Sequence, residues 1–163
     1  MSFLLIDIFS SINQQIFYIS NSKETASYVY SDIIELIGEK NCSFLPSNYR
    51  NDTKKIKDES NIINRSKTIR DILDKETKII VTYPEAIFEK IPNEKEINSK
   101  TINIEKGQFL KINSINELLF DIKFEKYDYV RQPGDFAKRG NIVDIFSYAY
   151  TSPLRIEFDG DTV

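Results

Sequence analysis

The chain has 163 residues, a formal net charge of −3 and a pI near 5.2. This length fits one large or two small domains with a buried core, and the acidic balance argues against a dedicated nucleic-acid-binding protein, which normally carries a basic excess. Histidine is absent, which excludes serine–histidine and cysteine–histidine catalytic pairs and most zinc sites.

Two features of the sequence bear on location. Cys42 is the single cysteine, so there is no disulfide framework and a reducing compartment is expected. The N-terminal segment is apolar, but it lacks a basic leader and a small-residue cleavage site, and Asp7 interrupts it. The sequence therefore predicts neither a signal peptide nor a membrane span, and we expect a cytoplasmic protein.

The first half alternates between segments of helical and of strand character. Helices are predicted over about 3–12, between Asn21 and Gly38, over 60–75 and after Pro84, and strands over 15–20, 43–46 and 78–83. The last of these strands is a continuous apolar run, typical of a parallel sheet covered on both faces, whereas the polar stretch 48–59 predicts an exposed loop. The order predicts an α/β domain over residues 1–98, with a parallel sheet of the nucleotide-binding type.

The second half has a different character. The polar run from Pro92 to Lys100 predicts a domain boundary. After it, a helix is predicted over 114–124 and strands over 101–105, 127–132, 136–146 and 154–158. Because turn-forming residues separate the last three strands, the pattern predicts an α+β domain over residues 99–163 with a mainly antiparallel sheet.

The sequence offers little for catalysis or for a cofactor. No glycine-rich phosphate loop is present among the five glycines, so ATP binding by this chain alone is not expected. Four carboxylates near the end could form a cation site: Asp144, Glu157, Asp159 and Asp161. Calcium loops need more oxygen ligands at set spacing, so a solvated strand end is the preferred interpretation. We expect no catalytic residue, no metal and no cofactor.

Basic side chains gather around one predicted turn. They are Lys123, Lys126, Arg131, Lys138 and Arg139. The plain interpretation is an ordinary solvated face. Arginine is nevertheless well suited to bidentate pairing with carboxylates, so the cluster points to an acidic protein surface as readily as to phosphate.

Two linked blocks carry a resemblance to a known family. The first, 129–146, reads YVRQPGDFAKRGNIVDIF, and the second, 153–161, reads PLRIEFDGD. They resemble the UvrB interaction domain, which UvrB and the transcription-repair coupling factor share. The segments 21–26, 44–50 and 81–90 resemble the first domain of the coupling factor, a degenerate helicase-like domain without ATP binding. UvrB would begin with an intact phosphate loop, so the coupling factor is favoured.

The resemblance implies a non-catalytic protein-interaction module of transcription-coupled nucleotide-excision repair that binds UvrA. The implied UvrA contacts are Arg139, Arg155, Glu157 and, as the nearest match for a further basic residue, Lys126. Possible partners also include the remaining domains of the coupling factor. DNA and RNA polymerase would be contacted only through domains that this chain lacks, and no membrane is involved.

The sequence departs from the family pattern at three positions. Ala137 stands where UvrB often has a second arginine, Asp159 where a second aromatic residue is usual, and Thr162 where an acidic residue is usual.

Strand alternation predicts that Arg155 and Glu157 share an open face, while Leu154, Ile156 and Phe158 point inward.

Two alternatives remain open. The chain could be part of an ATP-dependent DNA translocase that works with a separate motor polypeptide, or a vestigial truncated fragment without function. Saturable ATP binding by the isolated chain would favour the translocase over the interaction module.

Overall fold

In the computed structural model the chain divides into two units, Met1–Ile91 and Pro92–Val163. The structure describes residues 1–51 and 56–163, and of residues 50, 51, 56 and 57 it describes the backbone alone. The predicted fold class is confirmed, since one sheet is parallel and another is mainly antiparallel. The predicted domains 1–98 and 99–163 stay a prediction.

The helices are α1 (Ser2–Ile12), α2 (Lys23–Ile37), α3 (Glu59–Leu73), α4 (Pro84–Phe88), α5 (Glu94–Ser99) and α6 (Ile112–Asp121), with a 3-10 turn at Glu39–Asn41. The strands are β1 (Ile16–Ile19), β2 (Cys42–Phe44), β3 (Tyr49–Asn51), β4 (Ile56–Lys57), β5 (Ile79–Thr82), β6 (Glu125–Lys126), β7 (Asp135–Arg139), β8 (Ile142–Ile145) and β9 (Leu154–Glu157). In the described part of the chain, no helix combines the length and the apolar character needed to cross a membrane.

The first unit is built on a parallel sheet with strand order β1-β5-β2. All four residues of the central strand β5 are buried, as the continuous apolar run predicts. Helices α1 and α2 contribute apolar side chains to the core on one face of this sheet, through Leu5, Ala26, Val29 and Ile33. The burial of these spaced positions is what makes the helices stable.

Two polar segments contain secondary structure that the sequence pattern does not predict. The stretch 48–59, predicted as a loop, contains the short antiparallel pair of β3 and β4, while residues 52–55 lie outside the described residues. The polar run predicted as a domain boundary contains α5, which begins with a capping box between Asn93 and Glu96. The reciprocal bonds of such a cap stabilise a helix start without any apolar face, which explains why hydrophobic periodicity misses it.

The second unit is built on a sheet with strand order β6-β7-β8-β9, in which only β6 and β7 run parallel. The predicted run 136–146 is a hairpin with a two-residue turn, Gly140–Asn141. Gly140 has a φ of 60°, which suits glycine at the first position of such a turn.

Two further strand predictions are wrong. Residues 101–105 form no strand, although Ile102 and Ile104 pack against the core. Every second side chain of an extended segment can be buried without the backbone hydrogen bonds to a neighbouring strand. In the segment predicted as strand 127–132, no residue belongs to a strand. The carboxylate of Asp135 accepts hydrogen bonds from the backbone N–H groups of Arg131 and Gln132, both at 3.1 Å, which closes a turn in place of a ladder.

One buried arginine links α3 to the ends of β2 and α4 in the first unit. Arg65 is 2% exposed and donates to the carbonyls of Pro46 at 2.8 Å, Ala86 at 2.9 Å and Glu89 at 3.2 Å. Its Nε also lies 3.6 Å from a carboxylate oxygen of Glu89. Burial lowers the pKa of this guanidinium, and the nearby carboxylate of Glu89 opposes that shift.

We expect Arg65→Ala to lower the free energy of unfolding by about 3–5 kcal/mol, because it leaves three carbonyls without their donor and removes the cation beside the partly buried carboxylate of Glu89. Urea unfolding followed by circular dichroism measures the change. Arg70→Ala, at an exposed position of the same helix, is the matched control and should change stability by under about 0.5 kcal/mol. Equal effects of the two substitutions would contradict the structural role of Arg65.

Candidate protein-interaction surface

The sheet of the second unit has one face on the core and one face away from it. The side chains on the core side pack with α6; they are Phe136 of β7, Val143 and Ile145 of β8, and Ile156 of β9. Side chains alternate along a strand, so the intervening residues lie on the opposite face. The register places them in two rows across β7, β8 and β9: Ala137, Asp144 and Arg155, then Arg139, Ile142 and Glu157.

Two arginines converge on one carboxylate on that outer face. The Nε of Arg155 donates to Oδ1 of Asp144 at 2.7 Å, and its Nη2 donates to Oδ2 at 3.0 Å. Arg139 donates from Nη2 to the same Oδ2. These three residues are called the arginine cluster below. The paired bonds of Arg155 have the bidentate geometry that fixes a guanidinium in both position and plane.

The exposure of the three side chains differs sharply. Asp144 is 12% exposed as a side chain, whereas Arg139 is 45% and Arg155 54% exposed. The carboxylate therefore lies beneath the surface, and both guanidinium groups lie above it with unused N–H donors exposed to solvent. These donors are available to hydrogen-bond acceptors of another molecule.

An aromatic ring supports one of the arginines. The guanidinium carbon of Arg139 lies 5.3 Å from the ring centroid of Tyr129, within the range of a cation–π contact. Tyr129 is itself 64% exposed. Exposed tyrosine next to arginine is a composition that protein interfaces favour.

The hydrogen bonds of the arginine cluster favour the charged form of the Asp144 carboxylate. The hydrogen bonds from Arg155, with a further contribution from those of Arg139, hold the pKa of Asp144 below its ordinary value of 3.8, although burial opposes the shift. The same bonds raise the pKa of Arg155. With one carboxylate and two guanidinium groups, the arginine cluster carries a formal net charge of one positive unit.

The structure brings three of the four predicted contact residues together. Arg139, Arg155 and Glu157 share the outer face, and Glu157 is exposed in register with Ile142. Lys126 is also exposed, but its register pairs it with Phe136, whose side chain points to the core side. The sheet therefore separates Lys126 from the other three.

The inward-facing residues of β9 follow the predicted alternation with one exception. Phe158 is 2% exposed and Ile156 packs against the core. Leu154 is 42% exposed, contrary to prediction. It is the first residue of an edge strand, so no neighbouring strand covers it on one side.

One of the carboxylates considered as a cation site has other partners. Asp144 is occupied by the two arginines, and among the described residues no group of three or more cysteine, aspartate or glutamate side chains is arranged to hold a metal ion. Glu157 and Asp159 instead line a shallow, open depression together with Asn141, Thr162 and Val163.

Asp144 and Tyr129 are the residues of this surface that sequence reasoning missed. A signal for Asp144 was present, since it is a lone carboxylate in an apolar strand. With a two-residue turn at 140–141, Arg139 pairs with residue 142, and alternation then places Asp144 on the same face as Arg139. Tyr129 gave no such signal, because its loop has no strand register.

We expect the contribution of Asp144 to stability to disappear in acid. A depressed pKa gives stabilisation that is present above the unfolded value and lost as the pH falls through the lower folded value. The difference in free energy of unfolding between the wild type and Asp144→Asn should therefore be constant from about pH 5 to 8 and shrink below about pH 4. Urea unfolding at each pH measures it. A difference that persists undiminished in acid would contradict the ion pairs.

The second unit matches a known family. Residues 102–163 match the UvrB interaction domain, a non-catalytic module. This stretch contains the sheet and the arginine cluster described above.

Individual relatives extend the similarity over the first unit. The UvrABC system protein B of Enterococcus faecalis is 25% identical over 99% of this chain, and that of Lactobacillus johnsonii is 24% identical over 99%. The transcription-repair-coupling factor of Borreliella burgdorferi is 29% identical over 68% of the chain. This chain spans 26% of the first two relatives and 10% of the third, so it corresponds to a minor part of each. The resemblance predicted from the sequence is thereby confirmed: residues 102–163 match the UvrB interaction domain, and the chain as a whole resembles UvrB and the transcription-repair coupling factor.

Proposed function

We propose that this chain is a protein-interaction module of nucleotide-excision repair, coupled to transcription, that binds UvrA through the outer face of its second sheet. The observation that carries the proposal is the convergence of Arg139 and Arg155 on Asp144 at an open surface, within residues that match the UvrB interaction domain. Its action is to bind a partner, without a catalytic step.

The geometry suits a polar protein partner. Arg155 uses two of its five N–H donors on Asp144 and Arg139 uses one, so donors remain for carboxylates or carbonyls of a partner. Both guanidinium groups are already fixed by their bonds to Asp144. Less side-chain entropy is therefore lost on binding than with two free arginines.

Glu157 adds a charge of the opposite sign. It lies in the row of Arg139, with Ile142 of β8 between them, so the strands that carry the two charges are about 10 Å apart. A partner would need an acidic group opposite the arginines and a basic group opposite Glu157. Such a pattern gives orientation and selectivity in addition to affinity.

The location of the complex and its further partners follow from the same proposal. We place the chain in the cytoplasm, where UvrA acts on DNA. Contacts with DNA and RNA polymerase are assigned to other domains, of the kind that the longer relatives contain.

We expect Arg139→Ala to weaken binding to the UvrA of the same organism by about thirtyfold or more, because a desolvated arginine contact is worth about 2–5 kcal/mol. Isothermal titration calorimetry on the intact chain measures the affinity. Lys106→Ala is the matched control, since it removes an exposed cation of the same unit outside the arginine cluster and should bind like the wild type. An Arg139→Ala variant that is folded and binds UvrA as well as the wild type would contradict the proposed surface.

A second substitution tests the separation of the two faces. Lys126→Ala should affect UvrA binding less than Arg139→Ala, because Lys126 lies in register with a core-side residue. The same titration gives the comparison. If Lys126→Ala had the larger effect, the binding surface would have to include the β6 edge of the sheet and the arginine cluster would not be its centre.

A further inference from the structure

The outer face of the second sheet has no excess of positive charge, in spite of its two arginines. Arg139 and Arg155 contribute two positive charges, and Asp144 and Glu157 contribute two negative ones on the same face. A further cation, Arg131, is exposed in the loop that carries Tyr129. Without Asp144, the two arginines would outweigh Glu157 and the charge balance of this face would become positive, which favours phosphate backbones.

Phosphate backbones and protein carboxylates place different demands on an arginine. Binding to nucleic acid gains mainly from unneutralised cations that displace counterions, and each phosphate contact adds about 0.9 to the slope of log K against log salt concentration. A carboxylate of a folded partner can instead be met by one guanidinium at a fixed angle. An arginine already bonded to a buried carboxylate serves the second purpose better than the first.

The burial and the hydrogen bonds of Asp144 suit it to favour a protein carboxylate over a phosphate backbone at these arginines. It is 9% exposed, so it lies beneath the guanidinium groups where a partner does not displace it easily. Both of its oxygens are engaged, Oδ1 by Arg155 and Oδ2 by Arg155 and Arg139. One carboxylate therefore fixes two arginines and removes half of their charge.

We propose that Asp144 is a specificity-determining residue, which disfavours nucleic acid at this surface and leaves the two arginines to a protein partner with acidic side chains. The identity of that protein partner rests on the proposed function. The rejection of nucleic acid does not, because it concerns this chain and DNA alone.

The test compares DNA binding by the wild type and Asp144→Asn, using fluorescence anisotropy of a labelled random duplex of about 20 base pairs at about 50 mM and about 200 mM salt. We expect the variant to bind the duplex about tenfold more tightly at the lower salt concentration, with a slope against salt that is steeper by about one. Asp144→Glu, which keeps the charge, should bind the duplex as weakly as the wild type.

Two controls separate the position of the charge from the total charge. Asp121→Asn changes the net charge by the same amount at an exposed site that forms no ion pair in the described part of the chain, and its affinity for the duplex should stay at the wild-type value. Adding Arg155→Gln to Asp144→Asn should abolish the gain. Should the asparagine variant not be fully folded, Asp144→Ser removes the same charge with a smaller side chain and repeats the test.

The outcomes are distinct. Equal duplex affinities of the wild type and the folded, neutral Asp144 variants would overturn the proposal, as would an equal gain in Asp121→Asn. A gain confined to the Asp144 variants and dependent on Arg155 would support it. Failure of the wild type to bind UvrA would overturn the proposed function and leave the result of the DNA experiment standing.

Discussion

The ion pairs of Asp144 are the interaction on which the candidate surface depends. A carboxylate is held under two exposed guanidinium groups, and its pKa is depressed by their hydrogen bonds. Exposed ion pairs usually contribute little to stability. The value of this arrangement lies in orientation, because it keeps two flexible side chains in fixed positions before any partner arrives.

The fold provides this arrangement by simple means. The tight turn at Gly140 sets the register of β7 against β8, and the register places Arg139 and Asp144 on the same face. The third strand of the row then supplies Arg155 directly opposite Asp144. Since the other face of the same strands is occupied by the core, alternation leaves the charged side chains away from it. A slip of one residue would reverse both faces, which is why core packing and the interaction surface are specified together.

The sequence predicts the parts of the molecule that depend on local pattern. The apolar run of β5 predicts the parallel sheet, the spaced apolar residues of α2 predict its helix, and alternation places Arg155 and Glu157 on one face. Prediction from sequence failed where tertiary contacts determine the local structure. Ile102 and Ile104 alternate like a strand but are buried without a ladder, and α5 depends on a cap formed by Asn93 and Glu96 rather than on an apolar stripe. The role of Asp144 was open to prediction, because turn length and alternation place it beside Arg139. That of Tyr129 was not, because a loop has no register.

The most direct test of the central claim is to map the surface that UvrA covers. Nitrogen-labelled chain is titrated with unlabelled UvrA, and the backbone amide and arginine Nε–H signals are followed by NMR. The proposed function predicts that the signals of Arg139, Arg155 and Glu157 shift or broaden first, while those of the core-side residues of the same strands change less. Binding of UvrA with changes confined to residues away from β7, β8 and β9 would contradict the assignment of this face as the interaction surface.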